Sequence, residues 1–72
     1  MRTNNSSLAG LIARHAQGDW GEVGEEDWAA NDLALTDGGR LLSAYGLIDG
    51  TRIWIITEAD RRATTALLPE EY

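Results

Sequence analysis

The chain has 72 residues, 12 of them acidic and 6 basic, for a formal charge of −6, and it contains no cysteine. That length holds one domain with a thin core. The missing cysteine excludes disulfides and thiolate metal sites and suits a reducing compartment, and the acid excess disfavours nucleic acid and anionic membranes as direct partners.

Residues 1–5, MRTNN, read as a frayed polar start. Ser6 or Ser7 follows as a helix cap, its hydroxyl placed to accept from a backbone amide without a partner in the first turn. Leu8, Leu11, Ile12 and His15 or Ala16 recur at spacings of three and four, which predicts a helix from about Ser7 to Gln17, stopped by Gly18. No segment is long enough to span a membrane. The apolar run Leu8 to Ala13 is too short for a signal-peptide core. A cytoplasmic protein is therefore expected.

Gly18, Gly21 and Gly24 punctuate a turn, and a second helix is predicted from Glu25 to about Thr36, ended by Gly38-Gly39. Its expected inward positions are Trp28, Leu35 and part of Ala29, Ala30 and Leu33, with Asp32 interrupting the stripe. The stretch GDWGEVGEEDWAAND, residues 18–32, carries six carboxylates and two tryptophans without one basic residue, and Asp37 adds a seventh acid.

From Arg40 the pattern changes to two β-prone apolar runs flanking Asp49-Gly50, the dipeptide favoured in a two-residue hairpin turn. With that turn, Ile48 pairs with Thr51, Gly46 with Ile53, Ala44 with Ile55 and Leu42 with Thr57. These residues would form the face that receives the helices. Tyr45 opposite Trp54, and Ser43 opposite Ile56, would form the outer face. ATTALLP reads as a third strand near an edge, ended by Pro69. The expected fold is α+β: one domain over 1–72, with two helices followed by a three-stranded antiparallel meander (ααβββ).

Candidate chemistry is sparse. His15 is the only histidine, and Asp19, four residues on, is its one sequence neighbour able to orient it. No nucleophile stands nearby, and the simpler reading is a helix-end histidine favoured by the helix dipole. Glu22 and Glu26 offer at most a weak surface site for a divalent ion, since the acid spacing does not match a calcium loop. No enzymatic activity, cofactor, catalytic residue or dedicated metal site is expected.

Glu25, Glu26 and Asp27 at a helix start are favoured by its positive pole, each by roughly 0.3–1 kcal/mol. That leaves Asp19, Glu22, Asp32 and Asp37 without a local reason. Residues four apart on a helix rise about 6 Å, so their carboxylates can follow the scale of backbone phosphates. Such a surface would be attracted to the Arg/Lys groove of a nucleic-acid-binding protein. The competing interpretation is an acidic face that only keeps the protein soluble.

The blocks RHAQGDWGEVGEEDWAANDLAL, GRLLSAYGLIDGTRIWIITEADR and TTALLPEEY resemble a family of small acidic proteins carried on bacterial mobile elements and labelled plasmid-related. The resemblance spans about residues 13–72. The sequence departs at its start, where MRTNNSS stands in place of a longer extension. Proteins of this origin, size and charge are similar to DNA-mimicking anti-CRISPR inhibitors, which implies a role against phage defence. The implied partner is the large subunit of a type I CRISPR surveillance complex, including type I-C, at the basic site that reads the protospacer-adjacent motif. The implied contact residues are Asp19, Glu22, Glu25, Glu26, Asp27 and Asp32. Read from the residues alone, Trp20 between two glycines is balanced between core and an aromatic contact, and a monomer is expected over a dimer. Two other functions remain open: a regulatory or anti-restriction module using an aromatic patch of Tyr45, Trp54 or Trp20, and a hydrolase accessory that requires His15.

Overall fold

A computed structural model describes residues 7–72, so the frayed start expected over residues 1–5 and the alternative cap at Ser6 lie outside the described residues. Ser7 is the N-cap of helix α1, Leu8–Ala16, and its hydroxyl accepts from the Gly10 amide at 3.0 Å. Helix α2, Glu25–Asp37, begins after Gly24 and ends on Gly38 in the left-handed conformation. The antiparallel strands β1 (Leu41–Gly46), β2 (Arg52–Thr57) and β3 (Thr64–Leu67) follow in the order β1-β2-β3. The chain finishes in a 3-10 turn at Pro69–Glu71. The architecture is the α+β fold, ααβββ, expected from the sequence.

The hairpin register differs from expectation by one residue. Ser43 pairs with Ile55 and Tyr45 with Ile53, whereas Ala44 pairs with Trp54. Asp49-Gly50 is not a two-residue turn. The Gly50 amide donates to the Leu47 carbonyl at 3.0 Å, the Leu47 amide donates to the Thr51 carbonyl at 2.7 Å, and Gly50 has a φ of 90°. This is a three-residue loop closed by a left-handed glycine. A one-residue slip exchanges the two faces of one strand, so β1 turns Ser43 and Tyr45, not Ala44 and Gly46, toward the helices. Tyr45, expected on the outer face, is 1% exposed.

Both helices lie on that face. Leu11 packs with Tyr45 and Ile55, flanked by Leu47 and Ile53, and Trp20 packs with Ala34 and Leu41, flanked by Val23. Helix α2 meets the sheet through Asn31 and Ala34, its two buried residues. The expected inward positions Trp28, Leu33 and Leu35 are exposed instead. The Asn31 amide explains the difference. Its Nδ2 donates to the Leu42 carbonyl at 2.7 Å, and its Oδ1 accepts from the Leu42 amide at 3.1 Å. A polar side chain thus occupies the centre of the contact because the edge strand's backbone groups require partners there.

Arg61 fixes the far end of α2. It adopts a φ of 63° in the turn between β2 and β3. From there its guanidinium donates to the Ala34 carbonyl at 2.8 Å and to the Gly39 carbonyl at 2.6 Å. The last turn of α2 has no basic residue of its own, so this distant arginine supplies the cation that a helix C-terminus favours.

Candidate functional site

The acidic segment is a loop and a helix laid along the outer edge of β1. The Ala44 amide donates to the Trp20 carbonyl at 3.1 Å, and the Glu22 amide donates to the Ala44 carbonyl at 2.7 Å, so Gly21 bridges Ala44 in parallel fashion. Asn31 of α2 holds Leu42 further along the same edge. Asp19, Glu22, Glu25, Glu26, Asp27 and Asp32 all belong to this loop and helix.

Their environments divide against the expectation. Three of the four acids that had no local reason in sequence, Asp19, Glu22 and Asp32, have a structural partner, whereas Asp37 is exposed at the end of α2. Asp19 Oδ2 accepts from Arg14 Nε at 2.7 Å, and that hydrogen bond is the main cause holding the Asp19 pKa below the ordinary carboxylate value. Arg14 in turn lies over the Tyr45 ring, 4.7 Å from its centroid, while the Tyr45 hydroxyl donates to the Asp19 carbonyl at 2.6 Å. Glu22 Oε1 pairs with Arg52 at 2.7 Å. Both pairs are substantially exposed, so each adds at most about 1 kcal/mol.

Asp32 Oδ1 accepts from the Trp20 indole N–H at 3.0 Å. Trp20 is completely buried, which corrects its placement as an aromatic contact: the indole forms the second core cluster and offers no surface. An Asp32→Asn protein keeps an oxygen for the indole and loses the charge, and its melting temperature is expected to stay within a few degrees of the parent. Asp32→Ala strands a buried donor and is expected to cost about 1–3 kcal/mol. Thermal melts of the two variants, compared side by side, check the assignment.

Glu25, Glu26 and Asp27 are different. They occupy the exposed first turn of α2, which has no arginine anywhere along its length. Elsewhere four arginines are engaged: Arg14 and Arg52 in the ion pairs, Arg61 on the α2 carbonyls, and Arg40 against Tyr72, whose hydroxyl lies 2.5 Å from its guanidinium.

The other two functions lose their named residues in part. Tyr45 and Trp20 are buried, and Trp54 is half-buried on the opposite sheet face, edge-on to Tyr72 with ring centroids 5.5 Å apart. His15 does not meet Asp19. It is 4% exposed, with Nδ1 2.5 Å from Ser43 Oγ and Nε2 2.7 Å from Thr57 Oγ1, and Thr57 continues to Thr64 at 2.9 Å. A neutral imidazole, donating through one nitrogen and accepting through the other, satisfies this chain of hydroxyls. Ser43 is fully buried, so the His15–Ser43 pair has no route to a substrate. Glu22 is taken by Arg52, and no three His, Cys, Asp or Glu side chains among the described residues are grouped to hold a metal ion. An open depression at the hairpin tip is lined by Arg52, Pro69 and Glu70 among others, and it touches the acidic segment only through the Arg52–Glu22 pair.

Burial lowers the His15 pKa below the ordinary value of 6.5. Between the two values the unfolded chain binds a proton that the folded protein does not, so stability rises with pH there. The His15 contribution is complete above pH 6.5 and declines as pH falls below it. The Asp19 contribution is lost only at lower pH, below its ordinary value of 3.8. Melting temperature is therefore expected to fall between pH 7.5 and 5, and a His15→Gln protein to show a flatter profile over that interval. Thermal melts across this range test the assignment.

Comparison with described protein families, curated proteins and solved structures finds no match. No helix among the described residues is long and apolar enough to cross a membrane.

Proposed function

We propose that this protein is a non-enzymatic inhibitor whose acidic border imitates nucleic-acid phosphates and occupies the Lys/Arg groove of a nucleic-acid-binding protein. The observation that carries this reading is the exposed Glu25-Glu26-Asp27 turn, free of arginine, on a helix fixed to the sheet by Asn31 and Arg61. A rigid array of charge binds without the ordering cost of a flexible acidic tail. Asp19 and Glu22 contribute less than the sequence implied, because Arg14 and Arg52 already offset them. The proposed target is the large subunit of a type I CRISPR surveillance complex, at its motif-reading site. The sequence resemblance to mobile-element proteins supports that choice.

The test uses purified type I-C surveillance complex and a labelled target duplex. The protein is expected to displace the duplex, with affinity falling as salt rises, because exposed charges are screened within about 10 Å at ~0.1 M ionic strength. A Glu25→Arg/Glu26→Arg/Asp27→Arg protein is expected to lose displacement while remaining folded, its melting temperature reduced by the lost helix-pole interactions. Undiminished displacement by this triple variant would falsify the proposal.

A further inference from the structure

Helix α2 is held to the sheet by Asn31 and Ala34, and this leaves three large apolar side chains exposed: Leu33, on a different side of the helix, and Trp28 and Leu35, 36% and 56% exposed, which share one stripe. They are seven residues apart, two helical turns, and rise about 10 Å along the axis. Glu25 and Asp32 complete the same stripe, so carboxylate and apolar side chains alternate at spacings of three, four and three. Single apolar residues scattered over a surface are ordinary. Here the two share one stripe, and Asp32 between them is held in place by the Trp20 indole.

We infer that α2 docks lengthwise in a groove of a basic partner protein, with Trp28 and Leu35 entering an apolar floor and Glu25 and Asp32 meeting arginines on its rim. This inference rests on the acidic-inhibitor reading for the sign of the partner's charge and adds the apolar floor. Anchors at i and i+7 on one helix face are the mode by which amphipathic helices fill grooves. Arginine suits the rim because its planar guanidinium pairs with a carboxylate and also stacks on an indole. A second copy of the chain is disfavoured, because pairing this stripe with itself would set Glu25 and Asp32 against apolar side chains or like charges, with no cation on α2 to pair them. Helix α2 is already fixed by the Asn31 and Arg61 hydrogen bonds, so docking requires little ordering of the helix.

The experiment titrates the isotope-labelled protein with two helical peptides of equal positive charge, one carrying Leu at spacings of three and four among Arg to give an apolar face, the other carrying Gln in place of Leu. The Arg/Leu peptide is expected to bind about tenfold or more tightly, the scale set by burying one large apolar side chain. The largest chemical-shift changes should fall on the Trp28 indole and the Leu35 amide, with the Trp20 indole unmoved. Trp28→Ser and Leu35→Ser should each remove the preference while preserving the weaker binding of the Arg/Gln peptide and a dispersed amide spectrum. Equal affinities for the two peptides, shifts centred elsewhere, such as on exposed Ile48, or binding by neither peptide would overturn the inference. Failure of the inhibitor reading would show separately, as an undisplaced duplex on the surveillance complex.

Discussion

A Gly21→Ala protein is expected to lose its cooperative thermal transition. Gly21 has a φ of 77°, a conformation that costs a non-glycine residue roughly 1–2 kcal/mol. The larger effect is steric. An added Cβ would collide with the Ala44 carbonyl oxygen and lie 2.6 Å from Cδ1 of the buried Tyr45. Neither neighbour can move away: the carbonyl accepts the Glu22 amide, and the Tyr45 hydroxyl is tied to Asp19. Relief would require the loop to leave β1, taking Trp20 out of the core. The combined cost is at least about 3 kcal/mol, against a total of roughly 4–11 kcal/mol for a domain of this length. Circular dichroism melts would check it, and an unchanged midpoint would show that the loop is not bound to the edge strand as described. Gly24→Ala is a suitable control, since nothing lies within 4 Å of the position its Cβ would take.

Truncating Trp20 to alanine should come next in severity. Its indole is completely buried against Ala34 and Leu41 and meets His15 edge-on, with centroids 5.5 Å apart. Removing so large a buried side chain costs about 3–5 kcal/mol through lost burial and the cavity left behind. Trp28→Ala, on the exposed helix stripe, should cost far less. Urea unfolding of both variants separates them: a large fall in midpoint for Trp20 and a small one for Trp28 is expected. The reverse order would reassign the core.

That contrast shows where the sequence was legible. Helix limits followed from local chemistry, Ser7 at one end of α1 and Gly38 at the end of α2, and both stand where expected. Three strands and their order followed from composition and turn residues. The core did not follow, because it depends on two events without a local signature. One is the extra loop residue that turns Tyr45 inward. The other is Asn31, whose side chain serves strand hydrogen bonding and so rotates α2 away from its most apolar positions. The acidic cluster was similarly half-legible. Its members were plain, but its counter-ions come from Arg14 in the preceding helix and Arg52 thirty residues beyond Glu22. Sequence proximity therefore marked Asp19 and Glu22, which folding pairs, as unopposed, and assigned to local helix chemistry the Glu25-Glu26-Asp27 turn that no arginine offsets.

The Asn31 clasp also bears on how the molecule behaves at high concentration. Fibrillar growth by strand stacking needs two free edges per subunit, one to receive a strand and one to offer the next. Along β1, Leu42 is occupied by a side-chain amide and Ala44 by the Trp20–Glu22 loop, leaving β3 as the sheet's uncovered border. While it stays folded, such a sheet can add one strand and then terminates. Its colloidal behaviour therefore depends on two covers acting together: an Asn31→Ala chain would uncover Leu42, while the Gly21 bridge would still close the edge at Ala44.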